Sequence, residues 1–349
     1  MPHYPGETHD SHSVPPTSGV LLCNLGTPTA PTPGALRRFL AQFLSDPRVV
    51  ELPRWLWLPI LYGIILTFRP RRSARAYAKV WTPAGSPLRV FSEQQAAALA
   101  CELATTPNIK VALAMRYGEP SIAAALAELR TANVQQILVL PVYPQYSGAA
   151  TGSVFDAVTR ELLSWRRIPA FRFIASYHDD PGYIAALASS VREHWQANGP
   201  SERLYLSFHG IPHRSVLAGD PYFDHCHATA RLVAERLGLA QDQWQVVFQS
   251  RFGRARWLEP YAAATFQAAA RAGTKVIDVV CPGFAVDCLE TLEEIAIQNR
   301  DLFSAAGGEA LRYIPALNAR ADHIQVLASL IARNLAPDTE HVQVAMSRI

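Results

Sequence analysis

Short apolar runs alternate with amphipathic stretches of helical length along almost the whole chain. The runs at Gly19–Leu25, Lys110–Met115, Gln136–Pro141, Phe171–Ser176, Leu204–Phe208, Gln245–Gln249 and Lys275–Cys281 are continuous rather than alternating. That is the pattern of strands buried on both faces. Between them, Pro33–Leu44, Glu93–Leu103, Ile122–Arg130, Tyr183–Ala197, Asp224–Leu237 and Ala262–Ala272 repeat apolar residues at helical spacing, which predicts helices. Doubly buried strands separated by helices predict an α/β fold of parallel sheets covered on both sides. About seven or eight strands over this length predict two such sheets, with a crossover near 176–185. The expected division is 18–180 and 181–335, between tails at 1–17 and 336–349. The first tail is rich in Pro, Ser and His without an apolar core, so it reads as disordered rather than as a targeting peptide, with His3, His9 and His12 solvated.

One apolar stretch departs from this rhythm. Trp55–Phe68 (WLWLPILYGIILTF) is broken by Pro59 and Gly63 and falls short of the about 20 residues a membrane span needs. It reads either as a buried helix pair or as an apolar lip, exposed to a greasy ligand or a membrane surface. Arg69, Arg71, Arg72 and Tyr77 trail it, and an apolar surface edged by arginines suits a flat apolar molecule carrying carboxylates.

Composition narrows the class. Hydrophobic residues make up 49% and charged residues 17%, enough to bury a sizeable core. The net charge of +3 is too mild to argue for nucleic acid. The 5 cysteines are odd in number and form no CxxC pair, as in a cytosolic protein with reduced thiols. Neither GxGxxG nor GxxxxGK[ST] occurs, which disfavours a nicotinamide or ATP enzyme.

Candidate chemistry sits where strands end, since ligands of parallel α/β folds bind there. Asn24, Arg116, Tyr143, His209 and Pro282 each follow a predicted strand directly. His209 ends an apolar run and precedes Gly210-Ile211-Pro212. The run Val276–Cys281 leads through Pro282-Gly283 to an acidic segment, in which Glu290, Glu294 and Gln298 share a helical face. Imidazole with carboxylate suits a borderline divalent ion and accepts protons near neutral pH. Taken singly, a strand-end histidine is as often structural, a carboxylate row is commonly solvated, and Asp287 suits a helix cap. Arg116-Tyr117, Tyr143 and Ser147 offer a wall apolar in body and polar at the tips. Asp224-His225-Cys226-His227 lies in a predicted helix, where consecutive side chains diverge, and is not read as a metal site.

Several segments are familiar together. Ser207–Pro212 followed by Gly219–Tyr222, LLCNLGTP near the start, AMRYGEPS at 114–121, PVYPQYSGAATGS at 141–153, FQSRFG at 248–253 and CPGFAVDCLETLEEI at 281–295 occur in order over most of the chain. The sequence resembles ferrochelatase, most of all the protoporphyrin-type enzymes of Gram-negative bacteria. The resemblance implies a lyase that inserts Fe2+ into protoporphyrin IX with release of two protons, the terminal step of haem biosynthesis. It implies two Rossmann-like domains with a porphyrin cleft between them. His209 and Glu290 match the family's catalytic and metal-handling residues, and Glu294 continues its acidic face. Tyr77, Arg72, Arg116, Tyr117, Tyr143 and Ser147 are expected along the porphyrin. Cys288 stands where animal members have histidine, and Gln298 interrupts the carboxylate row. Some members hold a [2Fe-2S] cluster through C-terminal cysteines. No cysteine follows Cys288, so no cofactor is expected beyond the substrate iron. The expected location is cytoplasmic, with any contact to the inner membrane peripheral and through 52–68. The sequence carries no sign of oligomeric state. A chelatase for another tetrapyrrole or metal (coproporphyrin with iron, or cobalt) and a non-catalytic haem or porphyrin carrier stay open as alternatives. A periplasmic-type metal-binding protein is disfavoured by the absence of a signal peptide.

Overall fold

The computed structural model describes residues 17–335 apart from Pro107 and Arg254; the 336–349 tail and all but the last residue of the 1–17 tail lie outside the described residues. Among the described residues, eight strands form two sheets. The first contains β1 (Thr17–Gly26), β2 (Ile109–Tyr117), β3 (Val134–Pro141) and β4 (Ala170–Phe173) in the order β2-β1-β3-β4. The second contains β5 (Arg203–His209), β6 (Trp244–Gln249), β7 (Val276–Val280) and β8 (Ala310–Ile314) in the order β6-β5-β7-β8. Every pairing is parallel, as continuous apolar strands require. The two sheets therefore repeat one topology. In each, the chain leaves the first strand to one side, returns, and builds the rest on the other side. The crevice between first and third strands is where such sheets bind ligands.

Seven strands fall where the apolar runs predict them. The eighth, β8, was not among the predicted runs, because Arg312 interrupts its apolar pattern. That arginine pairs with Asp278, whose side chain is fully buried on β7, at 2.7 Å, so its charge is matched inside the sheet. Trp195 Nε1 donates to the same carboxylate at 2.7 Å.

One core cluster runs through both halves, joining Leu22 and Leu140 of the first sheet to Leu206 and Phe208 of the second. Separate clusters cover the other face of each sheet. The C-terminal helix Ala321–Leu335 returns across the molecule and packs against the helix Pro87–Glu102 and β3. Its apolar face, including Ile324, Leu327 and Ile331, belongs to the shared core. Truncating such a fully buried leucine to alanine costs about 2–5 kcal/mol.

The 52–68 stretch combines its two sequence readings. It forms a helix Arg54–Ile60, a π-helical turn Leu61–Ile65 and a helix Leu66–Val80. Trp57, Leu61 and Leu66 are buried against Phe39, Leu40 and Leu44. Trp55, Leu56, Tyr62, Ile64 and Phe68 face solvent, Trp55 at 79% and Phe68 at 71% exposure. Among the described residues, no helix is long and apolar enough to cross a membrane.

Candidate active site

β5 delivers His209 to its carboxyl end, next to Gln249 at the end of β6. The turn that follows is tight. A Cβ on Gly210 would sit 3.0 Å from the Gln249 carbonyl oxygen and 3.2 Å from the Trp257 ring, so glycine lets the chain pass close to β6. His209 Nδ1 lies 2.6 Å from the Gly210 carbonyl oxygen. A carbonyl only accepts, so Nδ1 carries a proton, and the tautomer this selects has its lone pair on Nε2.

β7 delivers the acidic segment. Glu290–Asn299 is a π-helix of 10 residues, far longer than the single π-turns that usually interrupt helices at functional sites. Its start is held on two sides. Gln249 Nε2 donates to the Glu290 carbonyl at 2.8 Å while Gln249 Oε1 accepts from Ser207 Oγ at 2.7 Å. Asp287 is not the helix cap that the sequence suggests. Its oxygens accept from Tyr313 Oη (2.6 Å), Asn318 Nδ2 (2.8 Å) and Thr291 Oγ1 (3.0 Å). Tyr313 on β8 and Asn318 in the loop after it supply two of these three donors and so outcompete the helix N–H groups.

Glu294 is fixed by Ser250, whose backbone N–H donates at 2.7 Å and whose hydroxyl donates at 2.5 Å. Ser250 holds φ +66°, a left-handed conformation that non-glycine residues adopt at a cost. The strain aims two donors at one carboxylate. Burial raises the Glu294 pKa; the Ser250 donors and His209 oppose the shift, and the charge of Glu290 adds to it. His209, Glu290 and Glu294 therefore share one electrostatic neighbourhood.

The helix Leu66–Val80 closes the site from the first half. Lys79 Nζ pairs with Glu293 at 2.7 Å, and Tyr77, Ala74 and Leu36 pack with Leu289. Tyr77 is buried, which pushes its phenol far up, and the nearby Glu290 adds to the shift. Arg69 lies over the Phe252 ring at 4.2 Å. Burial pulls its pKa down and Glu290 opposes this. Its Nη1 is buried without a hydrogen-bond partner. Arg72 is exposed beside it. The sequence reading placed Arg69 on the rim with its neighbours; the side chain instead turns inward, toward Glu290.

The structure thus gathers His209, Glu290, Glu294 and Tyr77, with Arg72 at the edge. Arg116, Tyr117, Tyr143 and Ser147 gather at the end of the first sheet. Asp46 Oδ2 accepts from Arg116 Nη2 (2.5 Å), Tyr117 Oη (2.8 Å) and Ser153 Oγ (2.6 Å). Burial works against ionisation of Asp46, but these donors, the Arg48 N–H and the Arg116 charge hold its pKa below the usual carboxylate value. Tyr117 is only 1% exposed. The Tyr143 hydroxyl is buried without a partner. Ser147 Oγ accepts from the Ala149 N–H, capping the π-turn Gly148–Gly152, and the residue lines a cavity of about 20 Å³ with Arg48, Arg214 and Asp220.

Comparison with known proteins decides the family. The family model for Ferrochelatase matches residues 17–335. The chain belongs to the ferrochelatase family. A ferrochelatase of Thioalkalivibrio sulfidiphilus is 55% identical over 95% of this chain and 90% of its own length. One from Nitrosococcus oceani is 55% identical over 95% and 91%. Among solved structures, SirB from Bacillus subtilis with Fe3+ superposes with a TM-score of 0.55 at 12% identity, covering 92% of this chain and 96% of that one. At that identity it supports the two-sheet chelatase-like fold.

Proposed function

We propose that this ferrochelatase-family chain inserts Fe2+ into protoporphyrin IX, giving protohaem and two protons. The observation that carries this reading is an imidazole with a fixed tautomer placed in one electrostatic neighbourhood with two carboxylates at a strand-order switch point. The porphyrin must lose two N–H protons as the ion enters. Bending the ring exposes its nitrogen lone pairs, and contacts to remote parts of the ring supply that strain. His209 offers the Nε2 lone pair to a pyrrole proton. Glu290 faces the ion, and Glu294, with its raised pKa, takes a proton onward more readily than an ordinary carboxylate. Tyr77 and the apolar arm grip the macrocycle, and Arg72 with the inward Arg69 matches propionates. Arg116, Tyr117, Tyr143 and Ser147 shape the wall of the first half.

The chain works without a resident cluster. Its exposed Trp55, Tyr62, Ile64 and Phe68 rest on the cytoplasmic face of the inner membrane, a peripheral contact.

The test is anaerobic incubation of the protein with protoporphyrin IX and Fe2+ or Zn2+, following the visible bands of the porphyrin. Rapid metallation is expected. Tight binding without metallation makes the chain a carrier, and a strong preference for coproporphyrin or cobalt redirects the substrate.

A further inference from the structure

Away from the reaction centre, two imidazoles stack where the halves meet. His178 lies between β4 and the helix Pro181–Asn198, and His225 lies on the helix Tyr222–Leu237. Their ring centroids are 3.6 Å apart and their planes 5° from parallel. His225 Nδ1 accepts the backbone N–H of Tyr146 at 3.2 Å. An N–H only donates, so this nitrogen carries a lone pair and the ring is neutral. His178 Nδ1 is buried without a hydrogen-bond partner.

The same seam is fastened twice more. Gln145 Nε2 donates to Thr229 Oγ1 at 3.0 Å, and that hydroxyl donates to the His178 carbonyl at 2.7 Å. Asp220 accepts the Gly148 N–H at 2.7 Å and the Tyr222 N–H at 3.0 Å. The segment held this way is Tyr143–Gly148, which leaves β3 at the switch point of the first sheet and carries two of the proposed porphyrin-wall residues.

We infer that His225 is a positioning residue, a neutral imidazole that latches the Tyr143–Gly148 loop for porphyrin binding and releases it on protonation. The inference rests on the function proposed above. A proton on Nδ1 would set two donors, the imidazolium N–H and the Tyr146 N–H, against each other, and would lay a cation on the stacked ring. Four groups face His225. His178 and Asp179 come from the loop after β4, Asp220 from the turn before its helix, and Asp224 from its own helix. The three carboxylates favour the cation. Burial, which is the largest effect, and His178 oppose it, and the pKa of His225 is lowered. His178 is lowered too, by burial against the pull of Asp179. The sign is definite. A lowered folded-state pKa keeps the latch closed at and above the ordinary imidazole range, about 6.5, and opens it as pH falls below that range.

Two variants test this. In His225→Asn the carboxamide oxygen can accept the Tyr146 N–H but cannot titrate. In His225→Phe the stacking face stays and the acceptor is lost. Wild-type affinity for protoporphyrin IX, read by fluorescence, is expected to weaken about fivefold between about pH 7.5 and about pH 5.5, the worth of one net hydrogen bond. Backbone hydrogen exchange over 143–148 should rise in the same window. The Asn variant should be flat across it, and the Phe variant weak throughout. An Asn variant with the wild-type acid loss overturns the latch. So do wild-type ring-proton signals of His178 and His225 that titrate at the ordinary position. Exchange and ring titration do not depend on metal insertion. An acid-opened loop in a protein that never metallates porphyrin therefore counts against the proposed function and leaves the latch standing. A loop protected at acid pH in an active enzyme counts against the latch alone.

Discussion

The carboxyl ends of the two sheets invite comparison, because the sheets share one strand order and place opposite chemistry there. In the first sheet the polar groups around Asp46 satisfy one another, while the Tyr143 hydroxyl beyond them is buried without a partner. Arg116, Tyr117 and Ser153 all donate to Asp46, and the carboxylate is held ionised in near-complete burial. In the second sheet the polar groups are left with something to do. His209 spends only Nδ1 on the backbone, Glu294 is held with a raised pKa, and Ser250 stays strained to hold it. A satisfied network is rigid, and an unsatisfied one is reactive. On the function proposed above, the first half would shape the ligand and the second would handle protons and metal.

The sharpest way to break this comparison is at His209. His209→Ala should lower metallation by about 10²–10⁴-fold, the range for a lost general base, with the circular dichroism spectrum unchanged. Turnover near wild type would remove His209 from the chemistry. Glu290→Gln is the next largest effect, with kcat falling about 10²-fold and porphyrin affinity nearly kept. A variant that loses only affinity would make Glu290 a positioning group.

The opposite pattern is expected in the first sheet. Asp46→Asn leaves the part-buried Arg116 guanidinium without its countercharge. That should cost about 3 kcal/mol of stability in urea denaturation, while kcat per folded molecule is preserved. A loss of kcat with unchanged stability would mean that this network takes part in the reaction.

The same contrast explains what could be read from the chain. Seven strands, the helix Pro33–Leu44 and the placement of His209 and Glu290 after strands follow from local pattern, because burial on both faces writes itself into consecutive residues. Groups whose role depends on distant partners do not. Arg312 breaks the β8 pattern because its partner Asp278 lies on another strand. Arg69 and Arg72 look alike in sequence, and only packing over Phe252 turns one inward. Arg116 and Tyr117 follow a strand as His209 does, and nothing local reveals that Asp46 occupies them. The π-helical form of 290–299 also has no local signature, since an i, i+4 carboxylate spacing fits an α-helix equally well.

The smallest expected effect sharpens the comparison from a second histidine. His323 is fully buried on the C-terminal helix, where the two halves share a core. Its Nδ1 lies 2.9 Å from the Asn318 carbonyl oxygen, which also accepts from Gln95 at 3.1 Å. A carbonyl accepts only, so Nδ1 is the protonated nitrogen, the same tautomer as in His209. The other nitrogen differs. His323 Nε2 is buried without a partner, and burial lowers its pKa to about 4, against the pull of the Asn318 carbonyl. The unfolded chain takes up this proton first, near about pH 6.5. Stability from the neutral ring is therefore full above that pH and drains away as pH falls toward the folded-state value. Wild-type urea midpoints should decline between about pH 6.5 and about pH 4, and His323→Gln, which cannot titrate, should decline less over the same window. Equal slopes would place the acid sensitivity in other groups. A shallower slope would show that this tautomer, with Nε2 meeting only the core, makes the fold lose stability as pH falls.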